Sequence, residues 1–523
     1  TPKMILEAAI SKKSLKEIEV ILRHHSELND EGLSLEWYKE NKIDLFKLTL
    51  NKLPGGYQES KIYIEMYSLF LRYNYQVEEL NIKHLKALIY AYGYGDVEVF
   101  QSFLDILPNS DKKTQLMEYF LVNTGSLNHV AIASLMILSN IDINSCYSRE
   151  SAEVLYALAT GLKHNGRPLP KMAQAFQDLY MMLTNPDASS LSGPNTIEDL
   201  FQVAAGGNFD RGEGIPEGRG VTALHLSSYR EPNNNIRLFL LANDASPNTI
   251  TKDGFTPLIT ALLAGNEEAA LQILDFQPNV NLKATAGISA AHIAAKHGFL
   301  KVIQKIVKSG GYLNGKIGDV SKDCAVLNSK KELVKFSIDE TPLWIALKQG
   351  HAPVVECLIE AQVDVNGYLS VPRISYLGAT KVTPVSIKHS PLTYCIVYYP
   401  ELVKKLLRSG AKVNDEGLEV SPLMVISELS NYDTQHLNAK TMGDRDPQKA
   451  YDAAKELTKH RILEELLLHG ADLEFQDPEG DTVDSYVANP KVLSNQNKMV
   501  STISREETLF GINIVKRQEI ISY

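Results

Sequence analysis

Cysteine is scarce: Cys146, Cys324, Cys357 and Cys395 are the four in 523 residues. Their wide spacing excludes a disulfide framework and a Cys-x-x-Cys zinc or redox pair, and it fits a reducing compartment. Long apolar runs are missing too. No stretch approaches the ~20 residues that a helix needs to cross a bilayer, and "TPKMILEAAI" at the start has no secretory h-region. Basic charge is in deficit, with 53 Lys and Arg against 63 Asp and Glu and a net charge of −10. That balance argues against nucleic acid as the main partner, since neutralising phosphates takes clustered cations. Signatures of catalysis are missing as well: there is no His-Glu-x-x-His and no Gly-x-Ser-x-Gly. The Gly-rich "AAGGNFDRGEG" lacks the Gly-Lys-Ser/Thr of a phosphate loop. No cofactor, no metal site and no catalytic residue is therefore expected.

What is present is an ordinary globular composition, 44% apolar and 22% charged, rich in helix formers and without sustained period-two alternation. An all-α class follows. The stretch "TKDGFTPLITALLAGNEEAALQILDFQPNVN" (251–281) shows the unit from which it is built. Asp253-Gly254 is a tight-turn signal. Thr256 can accept from an orphan N–H at a helix N-cap, and Pro257 fits the first helical position, where no donor is needed. A helix through Leu258, Ala261 and Leu262 stops near Gly265, and a second carries Ala270, Ile273 and Leu274.

The unit recurs. "GVTALHLSSY" starts its helix at Thr222, "GISAAHIAAKHG" at Ser289, "DETPLWIALKQGH" at Thr341, "SPLTYCIVYYP" at Ser390 and "SPLMVISEL" at Ser421. Second halves match too, among them "APVVECLIEAQVDVN" and "ELVKKLLRSGAKVN", and a partial copy starts near Thr482. This pattern resembles the ankyrin repeat, with its turn, T-P-L-H helix start, paired helix and G-A-D-V-N-like exit. Six copies and a partial one span residues 219–487. The resemblance implies an all-α ankyrin solenoid in which each copy buries its apolar face only by stacking on neighbours. It also implies that His225 and His292, at the T-P-L-H histidine position, bond between adjacent repeats rather than serve as ligands or bases.

Spacing between helix starts locates insertions. Thr222 to Thr256 and Thr256 to Ser289 are 34 and 33 residues. Ser289 to Thr341 is 52, Thr341 to Ser390 is 49 and Ser421 to Thr482 is 61, surpluses of about 19, 16 and 28 over the family period. The first two fall in the fingers, at 315–338 and 367–389. The third, near 430–458, falls inside a repeat, where Asp446-Pro447 reads as an N-cap and first-turn pair that prolongs a second helix.

Residues 1–183 read as helical hairpins that continue the solenoid in degenerate form, an independent bundle being the alternative. Their aromatics Tyr63, Tyr67, Phe70, Tyr73, Tyr75, Tyr90, Tyr92 and Tyr94 read as core packing rather than a binding cage. Residues 184–218 read as a linker or long finger with a short helix, and 488–523 as a cap for the last repeat or an address tail.

The ankyrin resemblance places partner contacts at two positions ending each first helix and at the finger tips. In this sequence those are Tyr229 and Arg230, Leu263 with Ala264, Lys296 and His297, Lys348 and Gln349, and Val397 and Tyr398. The finger positions are Lys252, Asp253, Phe255 and Ile288. The implied function is non-enzymatic capture of a partner protein whose surface has an acidic margin. The long inserts, eroded repeats and tail are similar in style to ankyrin-repeat effectors that intracellular bacteria deliver into host cytoplasm, which implies a host partner, a role in virulence and a C-terminal translocation signal. A cellular scaffold is a further option, cytoplasmic like the rest. The competing class is an enzyme, for example Cys-dependent, with its centre hidden in the N-terminal half and the repeats recruiting substrate.

Overall fold

Local chemistry starts the helix pairs. Thr256 is extended (φ −90°, ψ 163°) and its side chain accepts from the Ile259 N–H at 3.2 Å, with Pro257 next in line. Thr341 does the same for Trp344 N–H at 3.3 Å. Ser390 accepts from Thr393 N–H at 3.2 Å, and Ser421 from Met424 N–H at 3.2 Å. Each cap satisfies a donor that the first helical turn leaves unpaired.

In this computed structural model the described residues are 2–27, 49, 57–73, 82–147, 149–160, 172–184, 200, 220–229, 234–318, 326–327, 333–334, 336–372, 386–418, 420–429, 458, 461–476, 480 and 482–483. They fall into two units, one of residues 1–286 with 321–335, the other of residues 287–320 with 336–523.

The first unit opens with α1 (Pro2–Ser11) and α2 (Leu15–Glu27), followed by α3 (Tyr57–Arg72). Two helix pairs come next, α4 (Ile82–Tyr94) with α5 (Val97–Asp105), and α6 (Asp111–Leu127) with α7 (Val130–Leu138). Tyr63, Tyr67, Phe70, Tyr90 and Tyr92 are buried. Tyr92 and Phe120 rings lie 4.5 Å apart, and the Tyr92 hydroxyl donates to the Phe120 carbonyl at 2.7 Å. The aromatics are core, as their number and spacing suggest; Tyr73 and Tyr94 are half-buried, and Tyr75 lies outside the described residues.

The short strand β1 (Cys146–Tyr147) leads to α8 (Arg149–Thr160) and α9 (Met172–Thr184). Its antiparallel partner is β2 (Val221–Thr222), with Tyr147 opposite Val221. Two further pairs complete the unit: α10 (Ala223–Tyr229) with α11 (Asn234–Ala242), and α12 (Pro257–Leu263) with α13 (Glu267–Asp275). Helix α10 packs tightly on α6, where a Cβ on Gly125 would lie 2.1 Å from the Ala223 carbonyl oxygen. Helices α8 and α9 lie in the sequence between β1 and β2.

The second unit pairs α14 (Ala290–His297) with α15 (Leu300–Lys308), and α16 (Pro342–Gln349) with α17 (Ala352–Glu360). It continues through α18 (Pro391–Tyr398), a 3-10 turn (Pro400–Leu402), α19 (Val403–Arg408), α20 (Pro422–Leu429) and helical residues 461–468. The surplus at 367–389 forms an antiparallel ribbon, β5 (Leu369–Pro372) against β6 (Ser386–His389), with Leu369 opposite His389. At 315–338, Asp339 N–H donates to the Ile317 carbonyl at 2.8 Å and Ile317 N–H to the Glu340 carbonyl at 3.1 Å. In the part of the first unit that comes from 321–335, β3 (Val326–Leu327) pairs with β4 (Leu333–Val334). Residues 431–457 and 488–523 lie outside the described residues.

One device recurs in both units. His129, at the N-cap of α7, bonds through Nε2 to the Gly93 carbonyl at 3.1 Å, and its ring fills the space where Gly95 carries no Cβ. His351, at the N-cap of α17, bonds to the Lys296 carbonyl at 3.1 Å beside Gly298. Tyr399 substitutes for it one repeat later, donating to the Leu347 carbonyl at 3.0 Å. The bond from His129 to α4 in the first unit is thus of the same kind as the bond from His351 to α14 in the second.

Candidate functional site

Both histidines at the T-P-L-H position, His225 and His292, are buried. His225 Nδ1 accepts from the Thr222 N–H at 3.2 Å, so Nε2 carries the proton and donates to the Phe255 carbonyl at 3.0 Å, in the next finger. Burial pushes its pKa down to about 4, so the ring is neutral at pH 7. His292 has the same arrangement, with Ser289 N–H at 3.1 Å and the Gly315 carbonyl at 3.0 Å. Trp344 stands at the equivalent place in its repeat and donates from Nε1 to the Gly367 carbonyl at 3.1 Å. These groups hold fingers to helices and have no acceptor capacity left over.

The positions taken from the repeat pattern separate by exposure. Lys252, Lys348 and Gln349 are exposed; Tyr229, Asp253, Phe255, Lys296, His297 and Tyr398 are half-buried. Three fail the requirement. Leu263 is 4% exposed, Ile288 2% and Val397 6%, so they pack inside the repeats and offer a partner almost no surface. The physical reason is that apolar side chains at these positions are withdrawn from solvent into the packed core. Arg230 lies outside the described residues.

In the second unit the accessible positions form two neighbourhoods. Lys296 Nζ lies over the Phe336 ring, 4.6 Å from its centroid. Burial lowers the Lys296 pKa, with the Glu340 carboxylate opposing and the Lys348 ammonium adding to that shift. Glu340 is buried and saturated, accepting from Lys348 Nζ at 2.6 Å and from Ser337 N–H at 2.9 Å. His297 stacks on Phe299 at 5.2 Å and is held below its usual pKa by burial, then by Lys296 and His351. Two lysines thus share one carboxylate, and the patch is basic.

The other neighbourhood is aromatic. Tyr394 and Tyr398 rings are 4.6 Å apart, and Tyr394 meets Trp344 edge-on at 5.6 Å. Burial, reinforced by Tyr398 and Tyr399, raises the Tyr394 phenol well above its usual pKa. Tyr394 was missed in the sequence, although its spacing of four from Tyr398 on one helix was the available signal.

The thiols are poorly placed for nucleophilic chemistry. Burial raises Cys395 strongly, and burial with Glu360 raises Cys357, whereas a reactive thiol needs its thiolate favoured. Cys146 is exposed in β1, and Cys324 lies outside the described residues. Among the described residues no group of three His, Cys, Asp or Glu is disposed to hold a metal, and no helix is long and apolar enough to cross a membrane.

This geometry of capped helix pairs, finger stems and inter-repeat histidines is that of an ankyrin-type solenoid. The family model for ankyrin repeats in three copies matches at residues 224–317, 261–368 and 292–417. Among curated proteins the chain is 24% identical to E3 ubiquitin-protein ligase KEG of Arabidopsis thaliana over 235 residues, 40% of this chain and 14% of that protein. It is 23% identical to human Rabankyrin-5 over 326 residues, 54% of this chain and 27% of that protein. The chain thus spans a minor part of the length of both relatives. Among solved structures, that of the human ASB11 ankyrin repeat domain aligns with a TM-score of 0.31 at 17% identity, covering 53% of this chain and 99% of that one. Residues 224–417 thus match ankyrin repeats, and such repeats imply a protein–protein interaction module.

Proposed function

We propose that the chain captures a partner protein through the ends of its first helices and the adjoining fingers. The observation that carries this reading is the second unit's surface, where exposed Lys348 and Gln349 and half-buried Lys296 accompany the Tyr394–Tyr398 pair. Aromatic anchors beside cations are where interface energy concentrates, and the shared Glu340 leaves the lysines in excess, which favours a partner with an acidic margin. Raised thiol pKa values weigh against the Cys-dependent enzyme.

The test is binding by a purified partner once one is cross-linked to the surface. Tyr398→Ala with Lys348→Ala should weaken that complex at least tenfold while the melting curve stays in place. Unchanged affinity, or a melting loss equal to the affinity loss, would remove the reading.

We further propose an effector setting, in which the protein is secreted by a bacterium and acts on host proteins in host cytoplasm. The long fingers and the segment after residue 488 support it through their likeness in style to such effectors. A translocation assay with residues 488–523 removed decides it: secretion that persists without them refutes the address role.

A further inference from the structure

The β5–β6 ribbon is pinned to the repeats at its base. Beside the start of β5, Trp344 Nε1 donates to the Gly367 carbonyl at 3.1 Å, and the Tyr368 hydroxyl donates to the Asp415 carboxylate. A Cβ on Gly417 would stand 2.7 Å from that hydroxyl, so the loop carrying Asp415 closes on it directly. Leu369 is buried. At the end of β6, His389 Nδ1 lies 3.3 Å from Thr393 Oγ1, and the chain passes at once into Ser390, the N-cap of α18.

A two-stranded ribbon uses only part of its backbone on itself, because alternate residues of each strand turn N–H and C=O outward. Among the described residues neither β5 nor β6 has a second partner strand. The two edges differ. Pro372 removes a donor from β5, whereas Ser386, Ile387, Lys388 and His389 all keep theirs.

Charge on this finger has one sign. The sequence 367–389 holds Arg373, Lys381 and Lys388 and neither Asp nor Glu, in a chain whose net charge is −10. Lys388 is exposed. A lysine on a strand edge deters a second copy of the same cationic ribbon. An acidic strand meets no such barrier and is favoured by the opposite charge.

We infer that the outer edge of β6 takes an extended, acidic segment of the partner protein as a third strand. Main-chain bonds to residues 386–389 supply affinity and register, and Lys388 favours carboxylates on the added strand. A ribbon already pinned at its base has little further freedom to lose when that strand adds. The inference rests on the capture reading above and names the kind of segment captured, at a finger where that reading placed no contact residue.

The experiment uses the full chain and a labelled synthetic peptide of about eight residues, a common strand length, alternating Val with Glu. Saturable binding is expected, and a Val–Lys peptide of equal length should not bind. A Val–Glu peptide with every amide nitrogen methylated should not bind either, since it has no donor for a strand edge. Hydrogen exchange at residues 386–389 should slow when the Val–Glu peptide is present. Lys388→Glu should weaken that peptide about tenfold, a like charge having replaced an opposite one, with the melting curve in place. Peptide binding that is absent, that ignores the peptide's charge or that survives methylation would overturn the proposal. So would self-association of the chain that competes with the peptide, because a second copy would then be the occupant. Tyr398→Ala with Lys348→Ala keeps the two readings apart. Peptide affinity lost in that pair and kept in Lys388→Glu would seat the peptide on the helix ends and sink this inference alone. Affinity lost only in Lys388→Glu leaves it standing, whatever the helix-end pair does to the cross-linked partner.

Discussion

Asn144 and Ser246 are 102 residues apart in sequence and one hydrogen bond apart in space, Asn144 Oδ1 accepting from the Ser246 N–H at 2.9 Å. The same rung recurs as Asn248 to Asn279 N–H at 2.7 Å, Asn314 to Asp364 at 2.8 Å, Asn366 to Lys412 at 2.8 Å and Asn414 to Asp472 at 2.7 Å. Asn144, Asn248, Asn314, Asn366 and Asn414 therefore each tie a repeat exit to the next, whatever length of finger intervenes. Asn366 makes a second tie, donating from Nδ2 to the Gly410 carbonyl at 3.1 Å. Replacing Asn366 with Ala should cost about 1–2 kcal/mol, one net hydrogen bond or two at an exposed site. Asn366→Asp, which keeps the acceptor, should cost less. Urea unfolding of the two variants side by side measures the difference, and equal losses would deny the acceptor its role.

How much of this was legible beforehand depended on the range of the interaction. Thr256, Thr341 and Ser390 announced their helices because a cap is satisfied within three residues. A surplus in spacing at 367–389 has to be taken up somewhere, and the pairing of β5 with β6 lies within that range. The packing of α8 on both α4 and α6 was not legible, since its apolar pattern serves equally well in a repeat or across one. Leu263, Ile288 and Val397 went wrong for a related reason. Repeat position says which way a side chain starts, while burial depends on the neighbour's bulk.

His225 gives the first unit a pH dependence of fixed sign. Its folded pKa is lowered to about 4 by burial, whereas an unfolded histidine titrates near 6.5. Above pH 6.5 both states are neutral and the stabilising bonds are fully present. Between about 6.5 and 4 the unfolded chain takes up a proton that the folded one refuses, so stability falls with falling pH, by up to about 3 kcal/mol for this group. His225→Gln removes that titration. Denaturant midpoints taken from pH 7 down to pH 4.5 should therefore fall less steeply for the variant, and parallel slopes would contradict the assignment.

Gly298 and Gly310 separate backbone strain from crowding. Both have positive φ, 73° and 72°, a region that costs a side chain about 1–2 kcal/mol. A Cβ on Gly298 would also stand 2.6 Å from His351 Nδ1, while one on Gly310 meets nothing within 4 Å. Gly310→Ala should show the conformational cost alone. Gly298→Ala should lose more, because the imidazole has to leave the Lys296 carbonyl. Thermal unfolding of both variants tests the order, and a larger loss at Gly310 would be incompatible with this account.

Trp344 tests whether the histidine position is defined by its donor or by its shape. Its side chain is buried, and Nε1 donates to the Gly367 carbonyl at the base of the β5–β6 finger. His225 and His292 make the corresponding bond in their own repeats. Trp344→Phe deletes the donor and leaves that carbonyl short of a partner, at a cost of about 1–3 kcal/mol. It also removes ring volume beside Tyr394. Trp344→His loses still more volume but restores an N–H able to face Gly367. If the bond is what the site selects, Trp344→His retains more exchange protection at Leu369 and His389 than Trp344→Phe, despite its smaller ring. If ring volume governs instead, the order reverses and the finger loosens most in the histidine variant.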